Sequence, residues 1–156
     1  MTQNQYLLFI VFIISLFSAL ITSTAKSTQD STVKKNAFLG AWYNFNPHGC
    51  SSMYITQASE TGQLTGAFAN GQTGWCAKPE QWFNLTGQMI GKNAVQFKVN
   101  WQNNIQNCQS ITTWDGEIKD DVLYTNWVLS STNGEKIYRG EDTFYRECKC
   151  SHCPTP

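Results

Sequence analysis

The sequence predicts an all-β fold, an eight-stranded antiparallel up-and-down barrel. Three observations lead there. Stretches such as Ala94-Val95-Gln96-Phe97-Lys98-Val99-Asn100-Trp101 alternate apolar and polar residues with the two-residue period of a half-buried strand. Clusters of Gly, Asn, Asp, Ser and Pro interrupt these stretches at intervals of about 8–12 residues, the spacing of short strands joined by turns. No long window keeps a helical period, and β-branched and aromatic side chains dominate between the turns.

Taken in order, the first strand is Gly40–Asn44, ended by the turn formers Asn46-Pro47-His48-Gly49. Ser52–Gln57 follows and stops at Glu60-Thr61-Gly62, after which Gln63–Ala69 runs to the long loop Asn70–Gln81. Trp82–Gly87 leads to Gly91-Lys92-Asn93, and Ala94–Trp101 is the cleanest alternation in the chain. Gln109–Glu117 ends before Lys119-Asp120-Asp121. Val122–Ser130, with its alternating Leu123-Tyr124-Thr125-Asn126-Trp127-Val128-Leu129, stops at Thr132-Asn133-Gly134, and Arg139–Arg146 closes the set. Short links between sequential strands favour a barrel over a sandwich, and closure removes exposed sheet edges.

The remaining chain has separate roles. Tyr6–Ile21 is nearly unbroken apolar sequence followed by Thr22-Ser23-Thr24-Ala25, which reads as a secretory leader (residues 1–25) cut after Ala25. Its first five residues carry no Lys or Arg, and an uncleaved anchor is the alternative. Residues 26–37 are polar and aperiodic, an N-terminal arm; the barrel spans 38–147 and a Cys-rich tail 148–156. The leader implies a secreted protein, extracellular or periplasmic if bacterial, in a compartment that permits disulfides.

Composition narrows the function. Eleven basic and eleven acidic residues give zero net charge, and charged residues make up 14% of the chain. Nucleic acid and anionic membranes need a basic surface, so neither is an expected partner. The two His fall in a turn (His48) and in the tail (His152), near no nucleophile motif, so an enzyme is not expected. Polar residues at strand ends (Asn44, Ser51, Asn70, Ser110, Thr112, Asp142) lie on the same or neighbouring strands as Trp101, Trp114 and Trp127. Apolar walls with a few convergent polar groups describe a small-molecule site. Periodicity alone leaves open that each Trp is core, that Asn44 and Ser51 are turn or cap residues, and that Asp142 pairs with Lys136.

Several motifs in order resemble the avidin family. They are Gly40-Ala41-Trp42-Tyr43-Asn44, Ser51-Ser52-Met53-Tyr54-Ile55, Leu64-Thr65-Gly66-Ala67-Phe68, Val99-Asn100-Trp101-Gln102-Asn103-Asn104, Ser110-Ile111-Thr112-Thr113-Trp114-Asp115-Gly116, Thr125-Asn126-Trp127-Val128-Leu129 and Gly140-Glu141-Asp142-Thr143-Phe144. The resemblance implies an avidin-like barrel that holds biotin non-covalently at its open end, with no cofactor and no metal. It implies that Asn44 and Ser51 donate to the ureido oxygen, that Asp142 accepts one ureido N–H and that Asn70 accepts the other. Thr112 would approach the thiophane sulfur and Ser110 the valerate carboxylate. Phe97, Trp101, Trp114 and Trp127 would be the apolar walls. Alternatives from other classes are a lipocalin-like carrier of another apolar ligand, and a structural or adhesive avidin-like module with weakened biotin binding.

Departures from the family pattern carry their own expectations. Phe68 stands where a Tyr usually supplies a third donor, and Phe45–Cys50 is longer than usual. The stretch from Trp127 to Asp142 holds no further Trp, whereas in tetrameric avidins a Trp there closes a neighbour's pocket. Thr73-Gly74-Trp75-Cys76 and Asn107-Cys108-Gln109-Ser110 resemble the dimeric, rhizavidin-like avidins, which implies a Cys76–Cys108 disulfide between the pocket loops and a homodimer rather than a tetramer. Cys50, Cys148, Cys150 and Cys153 remain, with three pairings open, one option tying Cys50 to the tail. The tail spacings are tight for zinc, and disulfides are expected there. Asn84-Leu85-Thr86 is a glycosylation sequon, relevant only in a eukaryotic host.

Overall fold

A computed structural model describes residues 37–46, 49–72 and 76–156. The expected leader, and the arm up to Asn36, lie outside the described residues. Eight strands follow in order: β1 (Gly40–Asn46), β2 (Gly49–Ala58), β3 (Gln63–Ala69), β4 (Trp82–Met89), β5 (Ala94–Gln102), β6 (Asn107–Lys119), β7 (Val122–Ser131) and β8 (Ile137–Tyr145). Each pairs antiparallel with its neighbour, and β8 returns to β1, so the sheet is a closed up-and-down barrel as the sequence predicts. The described residues contain no helix.

Turn chemistry accounts for the connections. Asp120 and Asp121, both at positive φ, make a two-residue link between β6 and β7 closed by the Lys119↔Val122 pair, the geometry that matches strand twist. The β1–β2 segment differs from expectation. It is not an overlong loop: Phe45↔Cys50 and Asn46↔Gly49 continue the ladder, so β2 starts three residues before Ser52. Main-chain hydrogen bonding carries a ladder past the point where side-chain alternation stops, and β6 and β8 extend beyond their predicted starts for the same reason.

Strand parity sorts the side chains. On β5, Val95, Phe97, Val99 and Trp101 are buried and the intervening residues exposed. They join Trp42, Met53, Leu64, Phe83, Leu85, Leu123 and Phe144 in one core. The end of the barrel where β1 begins is plugged. Trp42 Nε1 donates to Phe38 O at 2.9 Å, and the Arg146 guanidinium lies 3.6 Å from the Trp42 ring centroid. Arg146 also donates to the carbonyls of Ala37, Leu39 and Ala41 and sits 3.7 Å from Asp121. Burial lowers the Arg146 pKa, and the Asp121 charge opposes that shift. With this end filled, any ligand space must lie at the other.

One irregularity shapes that other end. Asn100 pairs with Ile111 and Gln102 with Asn107, so Cys108, Gln109 and Ser110 together stand opposite Trp101 alone. The β6 edge bulges there, with Gln109 at φ 50°, and bulges of this kind re-aim neighbouring side chains.

Candidate functional site

The open end holds a cavity of about 430 Å³. Strand register explains how its lining converges. Asn44 on β1 stands directly opposite Ser51 on β2, Trp114 on β6 opposite Trp127 on β7, and Thr112 opposite Leu129 one layer higher. Phe68, Asn70, Trp101 and Asp142 complete the wall among the residues the sequence singled out. Gln72, Leu129 and Tyr138 line it as well.

Two expected residues fall elsewhere. Phe97 is buried beneath the cavity, stacked on Trp114 at 5.1 Å between centroids and 10° between planes, so it supports a wall and does not form one. Ser110 is buried on the β6 bulge and does not reach the cavity lining. The three missed residues are period-two neighbours of predicted ones. Gln72 is two beyond Asn70, Leu129 two beyond Trp127, and Tyr138 four before Asp142 on the same face of β8. Alternation held the signal for Leu129; Tyr138 escaped because the predicted strand began at Arg139.

The polar groups are already paired with one another. Ser51 Oγ donates to Asn70 Oδ1 at 3.3 Å, and Ser51 Oγ itself accepts from the Gly71 N–H at 3.3 Å. Across the cavity, Asn44 Nδ2 lies 3.5 Å from Asp142 Oδ1 and donates to Thr143 O at 3.0 Å. Trp114 Nε1 donates to Asp142 Oδ2 at 2.9 Å, and Trp101 Nε1 donates to Thr112 Oγ1 at 2.7 Å. Asp142 thus pairs with Trp114 and Asn44 and not with Lys136. It is also the one charged side chain lining the cavity among the described residues. Burial pushes its pKa up from 3.8 to about 6, against the lowering effect of the Trp114 hydrogen bond.

The aromatic side is a continuous stack. Phe68 lies 5.2 Å from Trp114 at 28° and meets Trp101 edge-on at 5.6 Å. Trp127 lies against Gly140, its cross-strand partner, and a Cβ at that glycine would sit 2.4–2.6 Å from two indole carbons. Gly140→Ala is therefore expected to displace the ring and to lower the unfolding free energy by about 1–3 kcal/mol, the usual cost of overpacking. Denaturant unfolding followed by Trp fluorescence measures this; an unaltered midpoint and spectrum would mean that the ring has room to yield.

Cysteine pairing completes the site. Cys76 is bonded to Cys108, joining the loop after β3 to the β6 bulge. Cys50, adjacent to Ser51, is bonded to Cys150, and Cys148 to Cys153. Of the three connectivities open in the sequence, the fold selects Cys50–Cys150 with Cys148–Cys153, which ties β2 to the tail.

A closed eight-stranded barrel with a plugged end, aromatic walls and a polar cradle at its open end defines a small-molecule binding protein. The Avidin family model matches residues 32–147, and the chain belongs to that family. It is 30% identical over 113 residues to Afifavidin of Afifella pfennigii, covering 64% of this chain and 70% of that protein. Among solved structures it is similar to the rhizavidin–biotin complex, with 31% identity, TM-score 0.57, and 67% of this chain and 96% of that one covered. Apo shwanavidin matches with 25% identity and TM-score 0.62, covering 71% of this chain and 97% of the other.

Proposed function

We propose that the protein is a non-covalent biotin binder, gripping the ureido ring between the Asn44–Ser51 donors and the Asn70 and Asp142 acceptors. The mutual pairing of those four groups carries the reading. A urea offers one carbonyl able to take two hydrogen bonds and two N–H groups able to give them. Inserted into this site, its oxygen takes the donors of Asn44 and Ser51, and its N–H groups replace those donors at Asp142 and Asn70. Every polar group stays satisfied on binding, which avoids the roughly 1–3 kcal/mol cost of each buried orphan. The bicyclic carbon skeleton then lies against Trp101, Trp114 and Trp127, with Thr112 toward the sulfur. A purely apolar ligand would make no use of these two donor–acceptor pairs at the cavity wall, which disfavours the lipocalin-like alternative. Phe68 brings no hydroxyl, so the grip rests on two side-chain donors to the ureido oxygen. Binding uses no cofactor and no catalysis.

The same proposal includes an exported homodimer. Its supports are the leader-like run Tyr6–Ile21, three disulfides, and a β7–β8 connection, Thr132-Asn133-Gly134-Glu135-Lys136, without the Trp that would close a tetramer neighbour's pocket. Light scattering on the leader-free protein counts the subunits.

Calorimetry with a biotin amide tests the binding reading, since the amide has no carboxylate of its own to titrate. One ligand per chain is expected at pH 7.5. Ureido donation favours the ionised Asp142 carboxylate, so binding lowers a pKa that starts at about 6 in the free protein. Affinity is then nearly full above about pH 7 and falls as pH drops through 6, by about tenfold at pH 5.0. Absence of heat at pH 7.5 rejects the reading, and a flat pH profile removes Asp142 from the ureido contact.

A further inference from the structure

We propose that the C-terminal tail is a strap that positions the two halves of the binding cradle, with Cys50 and Cys150 as positioning residues. The inference rests on the biotin reading and extends it.

The barrel has one short seam. Strands β1 and β8 pair only at Tyr43↔Tyr145 and Asn44↔Phe144, whereas β7 and β8 pair at eight positions from Leu123↔Phe144 to Ser130↔Ile137. That seam runs through the site. Asn44 and Ser51 stand on the β1–β2 side, and Asp142 stands on the β8 side. Within the site Asn44 reaches across with its side chain, to Asp142 and to Thr143 O.

The tail leaves β8 at Tyr145 and bonds through Cys150 to Cys50 on β2, so the link steps over β1 and joins the strands on either side of it. It starts from a fixed point, because Arg146 donates to the carbonyls of Leu39 and Ala41. The Cys148–Cys153 bond closes the tail into a small ring, and His152 contacts Glu80 of the loop after β3 at 3.2 Å. Cys50 lies beside the cradle in chain and in space. A Cβ on Gly71 would fall 1.6 Å from Cys50 O, so the two backbones are in contact, and Gly71 N–H donates to Ser51 Oγ. Movement at Cys50 is therefore movement of Ser51, and through it of Asn70. Holding donors and acceptors at fixed separation before the ligand arrives removes an ordering cost from binding.

The test uses the full leader-free chain in two variants. Cys50→Ala with Cys150→Ala cuts the strap. A Gly-Ser-Gly-Ser insertion between Glu147 and Cys148 keeps all three disulfides and only slackens it, which covers the case in which the double substitution fails to fold. Biotin dissociation about tenfold faster, with association changed less than twofold, is expected in each. In an Asp142→Ala background, where the cradle keeps no polar side chain on the β8 side, the same changes should matter less than twofold. Amide exchange at Asn44 and Gly71 in the ligand-free protein should quicken in both variants. Unchanged dissociation, or equal acceleration with and without Asp142, overturns the proposal. Should the wild type bind no biotin, the functional reading fails, and the exchange measurement alone decides whether the strap holds the seam.

Discussion

Asp142→Ala is expected to weaken biotin binding by about 100-fold. The carboxylate accepts from Trp114 Nε1 at 2.9 Å and faces Asn44 Nδ2 at 3.5 Å, and in the complex it also takes a ureido N–H. Hydrogen bonds to a charged partner are each worth about 1.5–3 kcal/mol, and truncation leaves the indole N–H and a ureido N–H without acceptors. The loss should appear in the dissociation rate, since the approach of ligand to the open end is unaffected. A change under threefold would take Asp142 out of the contact.

The same carboxylate is a liability in the empty protein. Its folded-state pKa of about 6 exceeds its unfolded value near 3.8, so the folded chain binds the proton more tightly. Stability from this group is therefore highest below pH 4 and declines as pH rises from there through 6. At pH 7 the shift corresponds to roughly 2–3 kcal/mol of destabilisation from the ionised form. Asp142→Asn removes the charge and should raise the unfolding free energy at pH 7 while still weakening biotin. A group that costs stability alone and gains partners only with a ligand is understandable at a binding site.

How much of this was legible in the sequence follows from what a strand writes into its side chains. Alternation fixes which face a residue takes, so β5 reads directly; the roles of Asn44, Thr112, Trp114 and Asp142 rest on the family resemblance, and all four line the cavity. Depth along the barrel axis is not written there. Phe97 shares a face with Trp101 but lies two layers lower, at the level of Trp114, and ends beneath the cavity. Ser110 shares parity with Thr112 and Trp114, yet the bulge of three residues against Trp101 moves it out of the lining. Strand ends were also hidden. Around Phe45 the alternation is inverted, with Asn44 buried and Phe45 exposed, and the partners Cys50 and Gly49 show that Phe45 and Asn46 belong to the ladder. The pairing of Cys50 with Cys150 spans 100 residues, and no local pattern can choose among connectivities at that range.

Trp114→Ala is expected to have the second large effect, on stability and binding together. This indole stacks on Phe97 at 5.1 Å and Phe68 at 5.2 Å, meets Trp101 edge-on at 6.3 Å, and holds Asp142 Oδ2. Truncating a buried Trp costs about 3–5 kcal/mol. The vacated space lies at the floor of the ligand cavity, so the biotin skeleton also loses a wall. Unfolding free energy should fall by that amount, and affinity by at least the 100-fold expected for Asp142→Ala, because the carboxylate loses its anchor as well. Trp114→Phe separates the two contributions: it keeps most of the stack and removes only the N–H. Desolvation of Asp142 is then opposed by one fewer donor, so its pKa should rise further, and the fall in affinity on acidification should begin at higher pH. Calorimetry from pH 5 to 8 on this variant reads the shift directly. A profile identical to wild type would mean that the indole N–H does not hold the carboxylate, and that Trp114 serves the site as a wall alone.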